Sequence, residues 1–465
     1  MHYRALLLLP LLTSFAACQP TVGGSDGSDV PVNYCSVETP GARIELERPG
    51  PSEEPVDDVN WFARPVPNES GDWIIAFASH SQNYLYNLSQ GTRVKIPDRS
   101  DAVATPDGRY MTVPSNYTPD EHIRFYDARE LIDHLDRGED ADGLPPVFVH
   151  DHPDLTKVYY QSTGIVSRDD ESTVYRLMFS GTASESGFRI VDYTFKGEGS
   201  TLQVTPTEPM KLCPEIPNDL NTPFISKDAR YVVSYTSSSE QSAYSTGSSL
   251  QVFRIAETFP AEGTTRCEAV VDFGFAAGKA DFAYDNSKLT FHISKGSYLT
   301  PFINGGLDAP TITDVVVVNL TQDDAGDIVG YSGMARITTS LEQGAGSYFP
   351  AFLPDGNLFY VANAVPKKSE SDKRFYFKVV DPSAELMMAN AFADPEATEL
   401  ASSIAKLWQS ACSGGSDIDD EAVKEHEAPW ILSSLSPNQC GALVEEHWSE
   451  GLGDKDAMLA LCASR

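Results

Sequence analysis

AVATPDGRYMTVPS, Ala102 to Ser115, and PAFLPDGNLFYVAN, Pro350 to Asn363, carry the pattern from which the rest of the chain is read. Each sets a Pro-Asp-Gly triplet, Pro106-Asp107-Gly108 and Pro354-Asp355-Gly356, between two short apolar runs. Proline fixes φ where a turn begins and glycine takes the left-handed position where it ends, so both stretches read as β-hairpins. PFISKDARYVVSYTS, Pro223 to Ser237, and DFAYDNSKLTFHIS, Asp281 to Ser294, are looser copies, with Asp228 and Asp285 at the turn. Thr163 to Ser180 carries a longer turn around Asp169, and Arg64 to Ser79 is a first member, which makes six units.

Each hairpin is followed by a further β-rich run: Tyr84 to Leu88, His122 to Tyr126, Phe188 to Phe195, Leu250 to Ile255, Asp314 to Leu320 and Arg374 to Asp381. From Asp107 through Asp169, Asp228 and Asp285 to Asp355 the spacings are 62, 59, 57 and 70 residues, enough for one four-stranded sheet and its loops per unit. Repeats of this period made only of strands are expected to be propeller blades, the competing fold being an irregular β-sandwich with coincidental turns.

These units resemble the repeats of TolB-like propellers, whose blades carry a Ser-Pro-Asp-Gly turn before an apolar strand. The resemblance runs from about Trp61 to Asp381, with the full Pro-Asp-Gly at Pro106 and Pro354 and with Thr105 and Leu353 where the family has Ser. It implies six blades and a role exerted through partner proteins in the cell envelope. The last unit runs out of chain after its third strand, whereas ARIELER, Ala42 to Arg48, is a strand without a hairpin. That amino-terminal strand is expected to complete the last sheet and close the ring.

Past Asp381 the apolar period changes from 2 to 3.6. Asp394 and Pro395 start a helix that aligns Leu400, Ile404, Leu407, Trp408 and Ala411. Ser436 and Pro437 start a second, with Cys440, Leu443, Val444, His447 and Trp448 inward, and Asp454 a third through Met458, Leu461 and Cys462. The expected architecture is an all-β propeller of six four-stranded blades with a small carboxyl-terminal α-helical appendage.

The 465 residues are 41% hydrophobic and 22% charged, which suits a globular protein with a sizeable core. With 34 Lys+Arg against 67 Asp+Glu the formal net charge is -33, and no basic run occurs. Phosphate backbones are bound by clustered cations, so nucleic acid is excluded as a partner. The acid surplus reads as a solubility device, with a cationic ligand as the lesser alternative.

The amino terminus supplies an address. His2 and Arg4 precede the apolar run Ala5 to Leu12 and the small residues that lead to Cys18. A membrane-spanning helix needs about 20 apolar residues, so this is a secretory signal. Ala16, Ala17 and Cys18 resemble the lipobox of bacterial lipoproteins, with Phe15 where that family usually has Leu. The resemblance implies cleavage before Cys18, acylation of that cysteine and, with Gln19 instead of Asp next to it, delivery to the outer membrane. An ordinary cleaved signal with a spare cysteine is the other reading. Gln19 to Asn33 is rich in Gly, Ser, Asp and Pro and reads as a flexible tether. Its Gly23, Ser25 and Gly27 match G-x-S-x-G formally, but no strand precedes and no helix follows, so no nucleophile elbow is expected. The expected divisions are a signal at 1–17, the lipidated cysteine and tether at 18–34, the propeller at 35–383 and the helical region at 384–465.

Six cysteines remain, and an oxidising compartment favours bridges. The expected pairs are Cys213 with Cys267 between successive blades, Cys440 with Cys462 between helices, and Cys35 with Cys412 as a strap from the appendage to the ring closure. A zinc site drawn from Cys412, Cys440, Cys462, His426 or His447 competes, without the C-x-x-C spacing of structural sites.

Metal-ligand candidates are His150 and His152 of H-D-H, which point the same way in an extended segment, and Asp140 and Asp142 of the run Asp136, Glu139, Asp140, Asp142, Gly143. A polar loop between blades and a solvated acidic loop are the plainer accounts of both, so no cofactor is expected, with calcium or another divalent metal as the alternative. Asp323, Asp324 and Asp327, and Asp417, Asp419, Asp420 and Glu421, read as solvated loops as well. No Walker loop, dinucleotide fingerprint or H-E-x-x-H occurs. Two functions follow: a lipid-anchored, non-catalytic propeller that binds an envelope or extracellular protein, or a metal-dependent hydrolase or lyase acting on an extracellular polymer or lactone at the channel. They differ in whether His122, His150, His152 and His292 converge at the channel mouth.

Overall fold

The computed structural model describes residues 60–79, 82–98, 102–113, 122–152, 159–180, 188–214, 224–237, 248–275, 277–294, 313–338, 346–363, 375–383, 395–412, 432 and 435–463. The expected closing strand at Ala42 to Arg48, the tether, Cys18 and Cys35 lie outside these residues.

The strands form six antiparallel meanders in chain order. The first is β1 (Asn60–Val66), β2 (Ile74–Ser79), β3 (Gln82–Asn87) and β4 (Thr92–Ile96). The second is β5 (Val103–Ala104), β6 (Tyr110–Val113), β7 (His122–Asp127) and β8 (Phe148–Asp151), with α1 (Ala128–Arg137) between its last two strands. The third is β9 (Tyr159–Arg168), β10 (Ser172–Ser180), β11 (Phe188–Lys196) and β12 (Gln203–Pro206), followed by the short β13 (Met210–Leu212). The fourth is β14 (Phe224–Ile225), β15 (Tyr231–Ser237), β16 (Ser248–Phe259) and β17 (Thr264–Asp272). The fifth is β18 (Gly278–Phe282), β19 (Lys288–Ser294), β20 (Thr313–Gln322) and β21 (Ile328–Arg336). The sixth has three described strands, β22 (Gly346–Phe352), β23 (Leu358–Asn363) and β24 (Phe375–Val380).

The first strands touch in a closed cycle: β1 with β5, β5 with β9, β9 with β14, β14 with β18, β18 with β22, and β22 again with β1. This is the arrangement of an all-β propeller, with each meander a blade. Period-2 alternation shows on the middle strands, as in β3, where Asn83, Leu85 and Asn87 are buried and Gln82, Tyr84 and Tyr86 are half-buried. Innermost β18 is buried at all five residues, because sheets flank it on both sides and the ring axis lies ahead. The apolar cores lie between successive sheets. Tyr110, Phe125, Tyr175, Tyr193 and Phe195 fill the space between second and third. Met178, Phe188, Ile190, Val232 and Phe253 do so between third and fourth.

The third and fourth blades are also welded at their outer edges. β13 pairs antiparallel with β11 and parallel with β17, joining Lys211 to Thr264 and Leu212 to Thr265. Cys213 then bridges to Cys267, with Cα atoms 5.1 Å apart. β13 is too short for periodicity to announce it, and only its two partners make it a strand.

The helical region has its own core. From α2 (Pro395–Ala411) come Ile404, Leu407 and Trp408, from α3 (Pro437–His447) Leu443 and Val444, and from α4 (Lys455–Ala463) Met458. Ser436 and Gln439 form a reciprocal cap at the start of α3, with bonds of 3.2 and 2.9 Å. Cys440 and Cys462 are bridged. Cys412 is also disulfide-bonded.

α1 corrects the reading of the acidic run. Asp127 accepts from the Arg129 N–H as amino-terminal cap, Leu131 and Leu135 point inward, and left-handed Gly138 ends the helix. Asp136 therefore sits on a helix, and Asp140 accepts the Lys95 backbone N–H at 2.9 Å, which pins the loop to β4.

Candidate functional site

In an antiparallel meander the connections from first to second and from third to fourth strand emerge at the same end. The Asp-Gly turns therefore share one face of the ring. Three of the turn aspartates, Asp107, Asp228 and Asp355, perform two tasks with their two oxygens, whereas Asp169 and Asp285 bond within their own turns. Asp107 Oδ1 accepts the Thr105 hydroxyl at 2.7 Å and the Arg109 N–H at 3.2 Å, which closes its own turn. Its Oδ2 accepts the Tyr175 hydroxyl at 2.7 Å and an N–H of Arg168, both on the third blade. Asp228 repeats this with Ser226 at 2.6 Å and Arg230 N–H at 3.2 Å on one oxygen, and Asn286 of the fifth blade at 2.7 Å on the other. Asp355 accepts Asn357 N–H at 3.0 Å and, through Oδ2, the Trp73 indole N–H at 2.8 Å. That last bond ties the sixth blade to the first.

The turns need a left-handed residue after the aspartate, and Gly108 (φ 66°), Ala229 (φ 58°) and Gly356 (φ 87°) supply it. Gly108 has a second reason: a Cβ there would stand 1.9 Å from the Pro67 carbonyl oxygen.

All six blades line the hub of the ring, where Arg64, Ala104, Thr163, Lys227, Asp281 and Phe352 surround a cavity of about 30 Å³. Asp281, with its side chain 3% exposed, is the centre of this packing. It accepts the Lys227 ammonium at 2.8 Å and the Phe352 N–H at 3.0 Å, and the Arg64 guanidinium lies 3.9 Å away. Arg64 stacks on Phe224, 4.0 Å from the ring centroid, and Lys227 lies over Tyr284 at 5.4 Å. The first, fourth, fifth and sixth blades are thus joined through one carboxylate. The remaining space suits a few water-sized particles, far less than a sugar or lactone ring requires.

A cleft of about 380 Å³ opens on the turn face, between the second and third blades. Tyr110, Tyr175 and Phe195 are its floor, with Tyr110 and Phe195 ring centroids 4.4 Å apart. Arg109, Arg129 and Arg168 stand around it, interleaved with Asp107, Asp169, Asp170, Glu171 and Glu198. Arg109 meets Glu198, and Arg129 meets Glu69 at 2.6 Å. Burial raises the Tyr110 pKa against the lowering pull of Arg109. Burial and the Asp107 carboxylate raise that of Tyr175, so both phenols are donors at neutral pH.

The histidines do not meet at the hub. His122 and His150 lie on the outer strands of the second blade, with His152 just beyond, and His292 lies on β19 of the fifth. The hub lining given above contains no histidine among the described residues. His150 Nδ1 is 2.9 Å from the Tyr193 hydroxyl, His152 Nε2 is 3.2 Å from Glu208, and His122 Nδ1 is 3.3 Å from Asp151. The His150 and His152 rings do share a side, 5.8 Å apart. Burial, then the His152 charge, lowers the His150 pKa against the opposing pull of Glu208 and Asp151. Among the described residues no three His, Cys, Asp or Glu side chains gather as a metal set. Asp417 to Glu421 lie outside the described residues.

Asp327, read from sequence as part of a solvated loop, is instead the knot between the fourth and fifth blades. It accepts from Arg230, from the Tyr231 hydroxyl at 3.1 Å and from Arg254 at 3.3 Å. Spacing within the loop could not reveal partners about 70 to 100 residues away.

No protein-family model and no curated protein matches the chain. Solved structures that it resembles include the hydrazine synthase of Kuenenia stuttgartiensis, at 12% identity over 66% of this chain and 77% of that one, TM-score 0.33. TolB from Acinetobacter baumannii is 12% identical over 64% of this chain and 61% of that one, TM-score 0.31. The β-propeller domain of the trilobed protease from Pyrococcus furiosus is 9% identical over 68% and 82%, TM-score 0.30. The fold assignment rests on the strand cycle and not on these scores.

Proposed function

We propose that this chain is a bacterial outer-membrane lipoprotein whose propeller binds an envelope or extracellular protein, without catalysis of its own. Acylated Cys18 is the anchor, Gln19 to Asn33 is the spacer, and the Cys35 to Cys412 bridge straps the helical region to the ring. Acyl chains contribute about 0.8 kcal/mol per buried CH₂, so more than one chain gives durable attachment.

The observation that carries binding over catalysis is the filled hub. A hydrolase or lyase at the channel needs an open mouth with converging ligands, whereas Asp281, Lys227 and Arg64 occupy this axis and leave about 30 Å³. Among the described residues an open cleft with charged and aromatic side chains lies on the turn face. The expected result of crosslinking the tethered protein in its own envelope is a reproducible protein partner, with no stoichiometric metal in the purified chain. A stoichiometric metal without a partner would overturn the reading in favour of the hydrolase. Cys18→Ser should move the protein out of the membrane fraction; its persistence there would refute the anchor.

A further inference from the structure

We infer that the hub cavity is a binding site for one monoatomic anion of halide size, of which chloride is the abundant example. The site lies on the ring axis, and the inference stands whether or not a partner protein binds the turn face.

Around the cavity of about 30 Å³, hydrogen-bond donors outnumber the groups that accept from them. The lining carries two cations, Arg64 and Lys227, and one carboxylate, Asp281. An ammonium has three N–H bonds to place. Lys227 directs one at Asp281 Oδ1, 2.8 Å away, and lies over the Tyr284 ring, with no second acceptor among the described residues. Ser162, 7% exposed, accepts the Ile225 N–H at 3.0 Å, and its own O–H meets no acceptor among the described residues. Tyr284 lines the same space, and its hydroxyl meets no acceptor among them either. Burial, then the Asp281 charge, raise the Tyr284 pKa, so this phenol is a donor at neutral pH. On the accepting side, Asp281 already takes Lys227 and the Phe352 N–H. Thr163 gives its proton to the Ala104 carbonyl at 2.7 Å.

A water molecule in this space has two protons to place as well as two lone pairs to fill, whereas an anion only accepts. The anion also answers the charge of the lining. Lys227 and Arg64 have side chains only 20% and 12% exposed and share one carboxylate, which Arg64 approaches no closer than 3.9 Å. Charge withdrawn from water is costly unless a counter-charge stands beside it. Size then selects the ion: the space suits a particle close to water in radius and has no room for a carboxylate, phosphate or sulfate. The overall charge of -33 opposes any anion at long range, but at physiological salt that repulsion decays over about 8 Å.

The test uses the full chain in detergent, with sodium chloride replacing sodium gluconate at constant ionic strength. Chloride should raise the melting temperature saturably, by about 1 to 3 °C, because a ligand of the folded state alone stabilises it by mass action. Bromide should act in the same way. Lys227→Met should abolish the shift. Ser162→Ala, which leaves both cations in place, should weaken the apparent chloride affinity roughly five- to tenfold, the size of one lost hydrogen bond. Wild-type crystals soaked in bromide should show an anomalous-scattering peak beside Lys227 Nζ, a readout that holds even if the lysine variant does not fold. No difference between chloride and gluconate overturns the site in favour of water alone. An equal shift in Lys227→Met, or bromide peaks elsewhere with none at the hub, overturns it too. None of these outcomes alters the crosslinking result, so the ion site and the partner-binding reading fail separately.

Discussion

The second-to-third and fourth-to-fifth junctions start from nearly the same turn, Thr-Pro-Asp-Gly-Arg-Tyr at Thr105 and Ser-Lys-Asp-Ala-Arg-Tyr at Ser226. At both, a hydroxyl and an aspartate close the turn and the second carboxylate oxygen clasps the next blade. The outcomes diverge at the acid beyond. Asp327 is held in place by its loop, where its N–H donates to Asp323 Oδ1 at 2.9 Å, and it becomes a shared acceptor. Glu198 starts a short turn closed by Thr201, one methylene longer in side chain and turned toward solvent. Similar local sequence therefore produces a sealed seam in one place and a cleft in the other, because the deciding atoms come from the next repeat.

The largest effect expected in this frame comes from the hub that both junctions share. Asp281→Ala leaves Lys227 and Arg64 without their common carboxylate and exposes no replacement for the Phe352 N–H. About 3 to 5 kcal/mol should be lost in chemical denaturation, as for broken buried pairs. A loss below about 1 kcal/mol would mean that the axis is hydrated and that the hub does not join the blades.

Removing the weld comes next. The loop closed by Cys213 and Cys267 spans 54 residues, for which chain entropy predicts a contribution of about 4 kcal/mol. Cys213→Ser with Cys267→Ser should lower stability by about 2 to 4 kcal/mol. Hydrogen exchange should speed up in β13 and β17 and stay unchanged at the fourth-to-fifth seam. If that seam loosens as well, the two junctions are not independent units.

The direct comparison is smaller. Asp327→Ala should cost about 2 kcal/mol, since three donors lose their acceptor at a partly exposed site. Glu198→Ala should fall within about 0.5 kcal/mol of wild type. Equal losses would erase the distinction between sealed and open junctions.

Acidification gives the subtlest readout. Burial, then the Lys279 charge, hold the pKa of His292 well below 6.5. The unfolded chain takes up that proton near 6.5 and the folded one does not. The contribution of His292 is therefore complete above that pH and declines as pH falls below it toward the lowered folded value. Melting temperatures from about pH 7.5 to about pH 5 should fall less steeply in His292→Gln than in wild type. His150, also lowered but against the opposing pull of Glu208 and Asp151, should give the same sign with a smaller slope.

How much was legible follows from how local each signal is. The six hairpins, their third strands and the three carboxyl-terminal helices rest on period and turn chemistry within about twenty residues, and they are present where expected among the described residues. α1 was missed although Asp127, Leu131, Leu135 and Gly138 spell a cap, a stripe and a stop, because the surrounding carboxylates read as a solvated acidic loop. The functional face was less accessible. H-D-H stood out by its side chains, yet each ring nitrogen named above faces a local partner, while Asp327 reads as one acid of a solvated loop.

By itself the sequence determined the hairpins and their third strands, the left-handed turn positions and the change to helix after Asp381, because each depends on local dihedral preference. Only the tertiary structure decided that Asp107, Asp228 and Asp355 fasten neighbouring blades, that Asp281 fills the axis, and that one junction is sealed while another is open. Those outcomes depend on atoms brought together from repeats some 60 to 280 residues apart, and no pattern along the chain encodes the distance between them.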